Sequence, residues 1–230
     1  MARRSETSKP AAPGKAAAST GPGPARTRRR RRPEEAREAI LSAADRLLVA
    51  HGPEAVGLAA VAREVGVSHG LVTHYFGTFA GLVREVFVRR NRVAAATVLE
   101  QVIVARERQD LDDLARYVID FVTDEVRARL FLWLRFNDPG GTFGQGANLL
   151  RALVDAIERE LPLLGERDRP RISREALEDV VLLTLAAGHG YAIGKRPWLR
   201  ALGREDEAAA DEAFRRALLR AIQRMVEPDP

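Results

Sequence analysis

An all-α fold is expected from this 230-residue chain on three observations. Apolar residues recur at three- and four-residue spacing in one stretch after another, runs that alternate apolar and polar residues are scarce, and Gly or Pro breaks fall between the stretches. With 46% hydrophobic residues the chain can bury one large core, or a small head plus a larger helical body. It has no cysteine, which excludes disulfides, a thiolate nucleophile and a thiolate metal site.

Residues 1–33 stand apart. Through residue 32, ten basic side chains (Arg3, Arg4, Lys9, Lys15, Arg26 and Arg28 to Arg32) face Glu6 alone, so this segment carries +9 and the rest of the chain −4. Rich in Ala, Pro, Gly and Ser and without apolar periodicity, it is expected to be disordered when free. It lacks the apolar core of a secretory signal. Three readings stand: a leader of the transit-peptide kind, a solubilising extension, or an arm whose Arg28, Arg29, Arg30, Arg31 and Arg32 follow DNA phosphates or enter a minor groove.

The helices then follow in order. Ile40, Ala43, Ala44, Leu47 and Leu48 form the first apolar stripe, which Gly52-Pro53 stops. Leu58, Val61, Ala62 and Val65 form the second, behind Gly57 as an acceptable N-cap. Gly66-Val67-Ser68 is a break, with Ser68 placed to cap a third, short helix. From His69 to Phe76, Val72, Tyr75 and Phe76 share one face; His69, Gly70, Thr73 and His74 share the opposite, polar one. Thr78 caps a fourth helix, expected to run from Phe79 to about Arg106 through Leu82, Val83, Val86 and Phe87, with Arg84, Arg89, Arg90 and Arg92 on solvated faces.

Beyond it, Leu111, Leu114, Val118, Phe121 and Val122 repeat at helical spacing, and Val126 to Phe136 is dense in Leu, Phe and Trp until Asp138-Pro-Gly-Gly ends it. Leu150, Leu153, Val154 and Ile157 mark a helix over Leu149 to Leu163, and Pro162 and Pro170 bracket a charged, mobile connection. The most apolar helix runs from Glu175 to about Gly194. The last, Glu205 to Val226, is amphipathic through Ala209, Ala213, Phe214, Ala217, Leu218 and Ile222. About nine helices result. The longest mainly apolar run, Val180 to Ala187 with Thr184 inside it, is short of the roughly 18 residues of a membrane span, so a soluble, cytoplasmic protein without a membrane partner is expected.

Two short helices joined by a glycine-containing turn match the helix-turn-helix, whose second helix reads the major groove from its N-terminal residues. At this level of detail Ala62-Arg63-Glu64-Val65-Gly66-Val67-Ser68-His69-Gly70, with His74-Tyr75-Phe76 and Leu82, resembles the TetR family of one-component transcriptional repressors over roughly Glu38 to Phe87. The family's pattern has a Ser or Thr opening the second helix, a Tyr three residues before the Phe and a Lys opening the fourth helix. Gly57, Thr73 and Phe79 stand there instead. Thr73 keeps a hydroxyl for phosphate but reaches less far, and Phe79 removes a phosphate-binding ammonium.

The resemblance implies three segments: the 1–33 arm, a 34–87 DNA-binding head, and an 88–226 body that binds an effector and dimerises through its last two long helices. Gly188, Gly190 and Gly194 would let a partner backbone approach closely. Ser68, His69, Gly70, Thr73 and His74 would contact operator DNA, with Tyr75 and Thr78 near its backbone. Candidate effector-contacting residues are Tyr117, Phe121, Trp133, Phe136, His189 and Tyr191, with Phe131 and Phe143 as further aromatics; each has a plain core reading too. His189 either meets the effector or satisfies a backbone carbonyl. No cofactor or metal is expected, since His51, His69, His74 and His189 show no paired ligand spacing. A near-palindromic double-stranded operator, a small-molecule effector and a second copy of the chain are the expected partners. The alternatives are a ligand-independent dimeric DNA binder and an all-helical enzyme; the enzyme lacks a phosphate loop, nucleophile elbow or His-Glu-x-x-His.

Overall fold

The computed structural model describes residues 32–108, 112–138, 140, 143–160 and 172–226. Among them lie nine α-helices and no strand: α1 Pro33–His51, α2 Leu58–Val65, α3 His69–Phe76, α4 Phe79–Arg108, α5 Asp112–Val122, α6 Glu125–Asn137, α7 Phe143–Glu160, α8 Arg174–Ala201 and α9 Glu207–Val226. Arg28, Arg29, Arg30 and Arg31 and the Pro162 to Pro170 connection lie outside the described residues.

Local chemistry accounts for the helix ends. Pro33 occupies the first position of α1, where its missing N–H costs nothing, and Glu34 and Glu35 follow in the first turn, favourable at the positive end of the helix. Asp124 caps α6 by accepting from the Arg127 amide at 2.6 Å, and Ser173 caps α8 by accepting from the Ala176 amide at 3.1 Å. Helix α7 begins at Phe143, six residues before the expected start at Leu149, because Gly144 and Gly146 dilute the pattern without breaking the helix. Helix α8 runs seven residues past Gly194 and through Pro197. The carbonyl that Pro197 leaves without a donor is that of Ile193, an exposed residue, so water can serve it.

The main core is built by α1 to α4 together with α6. Ile40, Ala44, Leu48, Val61, Val72, Phe76, Leu82, Val83 and Val86 pack with Leu130 and Leu134 of α6. The expected boundary at residue 87 falls inside α4, whose buried face continues through Ala94, Ala95, Val98, Val102 and Ala105. A second cluster, Ile119, Val122 and Leu218 with Phe121, Leu185, Phe214 and Ile222, joins α5, α8 and α9. On α9 the core register is Ala210, Phe214 and Leu218; Ala209 and Ala217 of the expected stripe are exposed.

Three expectations change. Arg84, Arg89 and Arg90 do not simply face water: Arg89 pairs with Glu38 and Arg90 with Asp45, both on α1, and Arg84 reaches Asp138 at the end of α6 at 2.6 Å. Arg92 is exposed as expected. Of the α8 glycines, Gly188 lies against Val122 of α5 and Gly194 under the Trp198 ring, so both serve packing inside the protomer; Gly190 has nothing near it. Finally, although its longest unbroken apolar run is short, α8 reaches a mean hydropathy of 1.2 over 18 residues, making it the one helix among the described residues long and apolar enough to cross a membrane by length and composition. It packs here against α5, α6, α7 and α9.

Candidate DNA-binding face and effector site

The turn between α2 and α3 is built from backbone hydrogen bonds that require a left-handed residue. Gly66 has φ 74° and ψ 38°; its amide donates to the Arg63 carbonyl at 3.2 Å, while the Val67 amide reaches back to Ala62 at 2.9 Å. That pair of bonds is a Schellman ending, in which glycine avoids the steric cost of positive φ. Ser68 then starts α3, its Oγ accepting from the Leu71 amide at 3.2 Å. Both helices of the motif are thus set by side chains and bonds close together in the chain.

Helix α3 is held by one face and presents the other. Val72 and Phe76 are buried, Tyr75 is half-buried, and Ser68, His69, Gly70, Thr73 and His74 are exposed. A methyl group at Gly70 would meet nothing within 4 Å, so nothing inside the protein requires glycine there. The His74 ring stands edge-on to Tyr75 at 5.4 Å. Thr73 Oγ1 donates to the His69 carbonyl at 3.2 Å, so its hydroxyl must turn before it can donate to a phosphate.

After α3 the chain reverses at Gly77, φ +68°, and Thr78 accepts from the Gly81 amide at 3.0 Å. The amides of Phe79 and Ala80 open α4 above the first rung of its ladder, the position that suits an anion. Phe79 turns inward and stands edge-on to Trp133 of α6, 5.5 Å between centroids. Gly81 was not singled out from the sequence, yet a Cβ there would run into the Phe76 carbonyl oxygen. Arg32, exposed just before α1, is the one arginine of the expected arm among the described residues.

Among the described residues, the six candidate effector residues fall at separate places in the body. Trp133 and Phe136 border an open cleft of about 360 Å³ with Glu54, Glu125, Arg129, Leu132, Asn137 and Ile193, and Phe136 is 76% exposed. Tyr191 lies flat on Phe214, 3.9 Å between centroids, and donates to Asp211 at 2.9 Å. Burial first, then the Asp211 hydrogen bond and charge, push its hydroxyl up to about 12. Burial would raise Asp211 in turn, but hydrogen bonds from Lys195 and Tyr191 outweigh it and hold the carboxyl below its ordinary range. This is a fastening between α8 and α9. Tyr117 is half-buried on α5. The Phe143 side chain lies outside the described residues. Helical spacing showed neither which helices these aromatics meet nor that Phe136 stays in solvent.

The remaining pair, Phe121 and His189, meets a residue that sequence reasoning missed. Arg127 of α6 lies over the Phe121 ring at 4.1 Å, donates to the Phe121 carbonyl, and is 9% exposed. His189 stacks on Phe131 at 5.5 Å. Burial, then the Arg127 charge, lowers His189 from its ordinary range, against a smaller opposing effect of Asp124. Burial also lowers Arg127, with Asp124 opposing and Arg90 adding to the shift. The sequence did carry a signal: Arg127 is in helical register with Phe131 and Leu134, an arginine on an apolar stripe.

Comparison with known proteins matches residues 40–86 to the family model described as bacterial regulatory proteins, tetR family. No curated protein matches the chain. Among solved structures, a Mesorhizobium loti MAFF303099 protein classed with TetR-family transcriptional regulators aligns with TM-score 0.63 at 14% identity, over 86% of this chain and 98% of its own. The multidrug binding protein EbrR complexed with imidazole aligns with TM-score 0.55 at 19% identity, over 85% and 97%. The fatty acid degradation regulator FadR of Bacillus halodurans aligns with TM-score 0.52 at 13% identity, over 80% and 94%.

Proposed function

We propose that the chain, whose residues 40–86 match the tetR family model, is a TetR-family DNA-binding transcriptional regulator that acts in the bacterial cytoplasm as a homodimeric repressor released from a near-palindromic operator by a small molecule. Members of that family are transcription factors, so the enzyme alternative is set aside. The observation that carries the proposal is the split of α3 into a buried anchor, Val72 and Phe76, and an exposed face, His69, Gly70, Thr73 and His74, that takes no part in the core. Imidazoles and a hydroxyl on such a face can meet base edges, while the small Gly70 lets the helix come close. Ser68, Tyr75 and Thr78 would meet the sugar-phosphate backbone, joined by Arg28 to Arg32.

A dimer would set two such helices in successive major grooves. Support for one comes from α8, where Leu182, Ala186, Gly190 and Ile193 form a stripe open to the outside. Small and apolar residues at this spacing favour close helix pairing with a second copy. EbrR is a multidrug binding protein, which supports a small-molecule effector for a body of the same fold.

The test is a selection from random DNA with the full chain and with residues 33–230. A two-fold symmetric motif recovered by both supports the proposal. Enrichment without a motif, or binding that disappears with the tail, would show that the arginines supply non-specific affinity and that α3 reads no sequence. If the arm contributes, its removal should also reduce the log–log salt slope by about 0.9 for each phosphate it had neutralised.

A further inference from the structure

Arg127 and His189 each bury a nitrogen that has no hydrogen-bond partner among the described residues, Nε of Arg127 and Nε2 of His189. Buried donors and charges are ordinarily satisfied, because leaving water without a replacement partner is costly. Arg127 meets a carbonyl and a ring but has no ion-pair partner among the described residues. Asp124, the charge that most offsets its burial, spends Oδ1 on capping the Arg127 backbone amide. Two buried nitrogens, one on α6 over the Phe121 ring and one on α8 beside the Phe131 ring, are thus left without the partner that burial calls for.

The same charge also reaches the head. Arg90, on α4, is near enough to Arg127 to repel it, and Arg90 is held by Asp45 of α1. An anion at Arg127 would attract Arg90 in competition with Asp45 and so loosen one of the ion pairs between α1 and α4, beside Arg37–Glu85 and Arg89–Glu38.

Resting on the effector-release reading, we propose that the effector is an organic acid with an apolar body. Its carboxylate accepts from Arg127 Nε and His189 Nε2, its body lies against Phe121 and Phe131, and its charge draws Arg90 from Asp45 to free the head. Because both nitrogens are buried, the side chains over them must part for the acid to enter. The acid then stabilises the parted state, the difference in affinity that a population shift requires.

The experiment uses the full-length protein with decanoate, benzoate and phenylacetate, each beside its amide, and reads two signals. One is the Arg127 Nε–H resonance, identified by its loss in Arg127→Lys; the other is release of the selected operator. Expected are a shift of that resonance by at least one acid, release favouring the acid over its amide by roughly tenfold, as a charged hydrogen bond predicts, and loss of this preference in a folded Arg127→Met protein. Asp45→Asn should weaken operator binding without any acid. Amides as effective as acids, or a preference that survives Arg127→Met, would overturn the acid site and leave effector release standing. No resonance shift with any acid would also overturn it. An acid that shifts the resonance but leaves the operator bound would uphold the site and refute effector release.

Discussion

Gly188 and Gly190 sit two residues apart on α8, and the same substitution should move stability in opposite directions. Replacing a helix-interior glycine with alanine gains about 0.5–1 kcal/mol from chain entropy. At Gly190 a new Cβ meets nothing within 4 Å inside the protomer, so Gly190→Ala should keep that gain when unfolding is followed at a dilution where the chain is monomeric. For a chain of 230 residues it amounts to a rise in Tm of about 1–4 °C. At Gly188 the Cβ would fall 2.6 Å from Val122 Cβ and 2.8 Å from the Val122 carbonyl oxygen. Neither can give way easily, since a β-branched side chain on a helix is stiff and the oxygen belongs to the backbone. Overpacking of this kind costs about 1–3 kcal/mol, occasionally more. The net for Gly188→Ala is a loss of up to about 2.5 kcal/mol and a fall of up to about 10 °C. Thermal and urea unfolding followed by circular dichroism measure both. Equal shifts of one sign in the two variants would refute the assignment of Gly188 to the packing of α8 on α5. That packing also brings His189 toward Arg127, so Gly188→Ala should disturb the proposed acid site before the protein unfolds.

Other outcomes follow from the same geometry. The His69→Ala, His74→Ala double variant should fold as wild type, because both rings are exposed, yet lose about 1–3 kcal/mol of operator affinity in an anisotropy titration; unchanged affinity would remove the pair from the DNA-binding face. Ser68→Ala deletes the cap on Leu71 and should lower stability by about 1 kcal/mol in urea unfolding. Because burial and the Arg127 charge depress His189, the unfolded chain takes up a proton near pH 6.5 that the folded chain resists. Stability is therefore complete above about pH 6.5 and falls as pH drops toward the folded value. His189→Gln should flatten that decline in Tm, and an unchanged slope would show that another group causes it.

The head was legible because its determinants are local. The αL glycine at Gly66, the Ser68 and Thr78 caps and the Val72–Phe76 spacing each act across a few residues, so their consequences appear as short patterns in the chain. The family motif sits on those same residues, and the exposed face of α3 follows from them by helical geometry alone. The body was legible only as a series of helices. Its expected effector residues separated into an α6 cleft, an α8–α9 fastening and the Arg127 cluster, because their neighbours come from helices far apart in the chain. Phe131 of α6 meets Phe87 of α4 on one side and His189 of α8 on the other, and no pattern within α6 announces either partner.

What the sequence by itself determined is therefore the all-helical class, the helix-turn-helix and its outward residues, and the concentration of positive charge before residue 33. Only the tertiary structure decided which arginines are paired across helices, which glycine of α8 stays open, and that Arg127 and His189 lie buried with nitrogens left unbonded among the described residues. The physical reason is range. Caps, turns and periodicity are settled by the backbone within one or two turns, whereas desolvation, ion pairing and steric clearance depend on which distant surface packs against a residue.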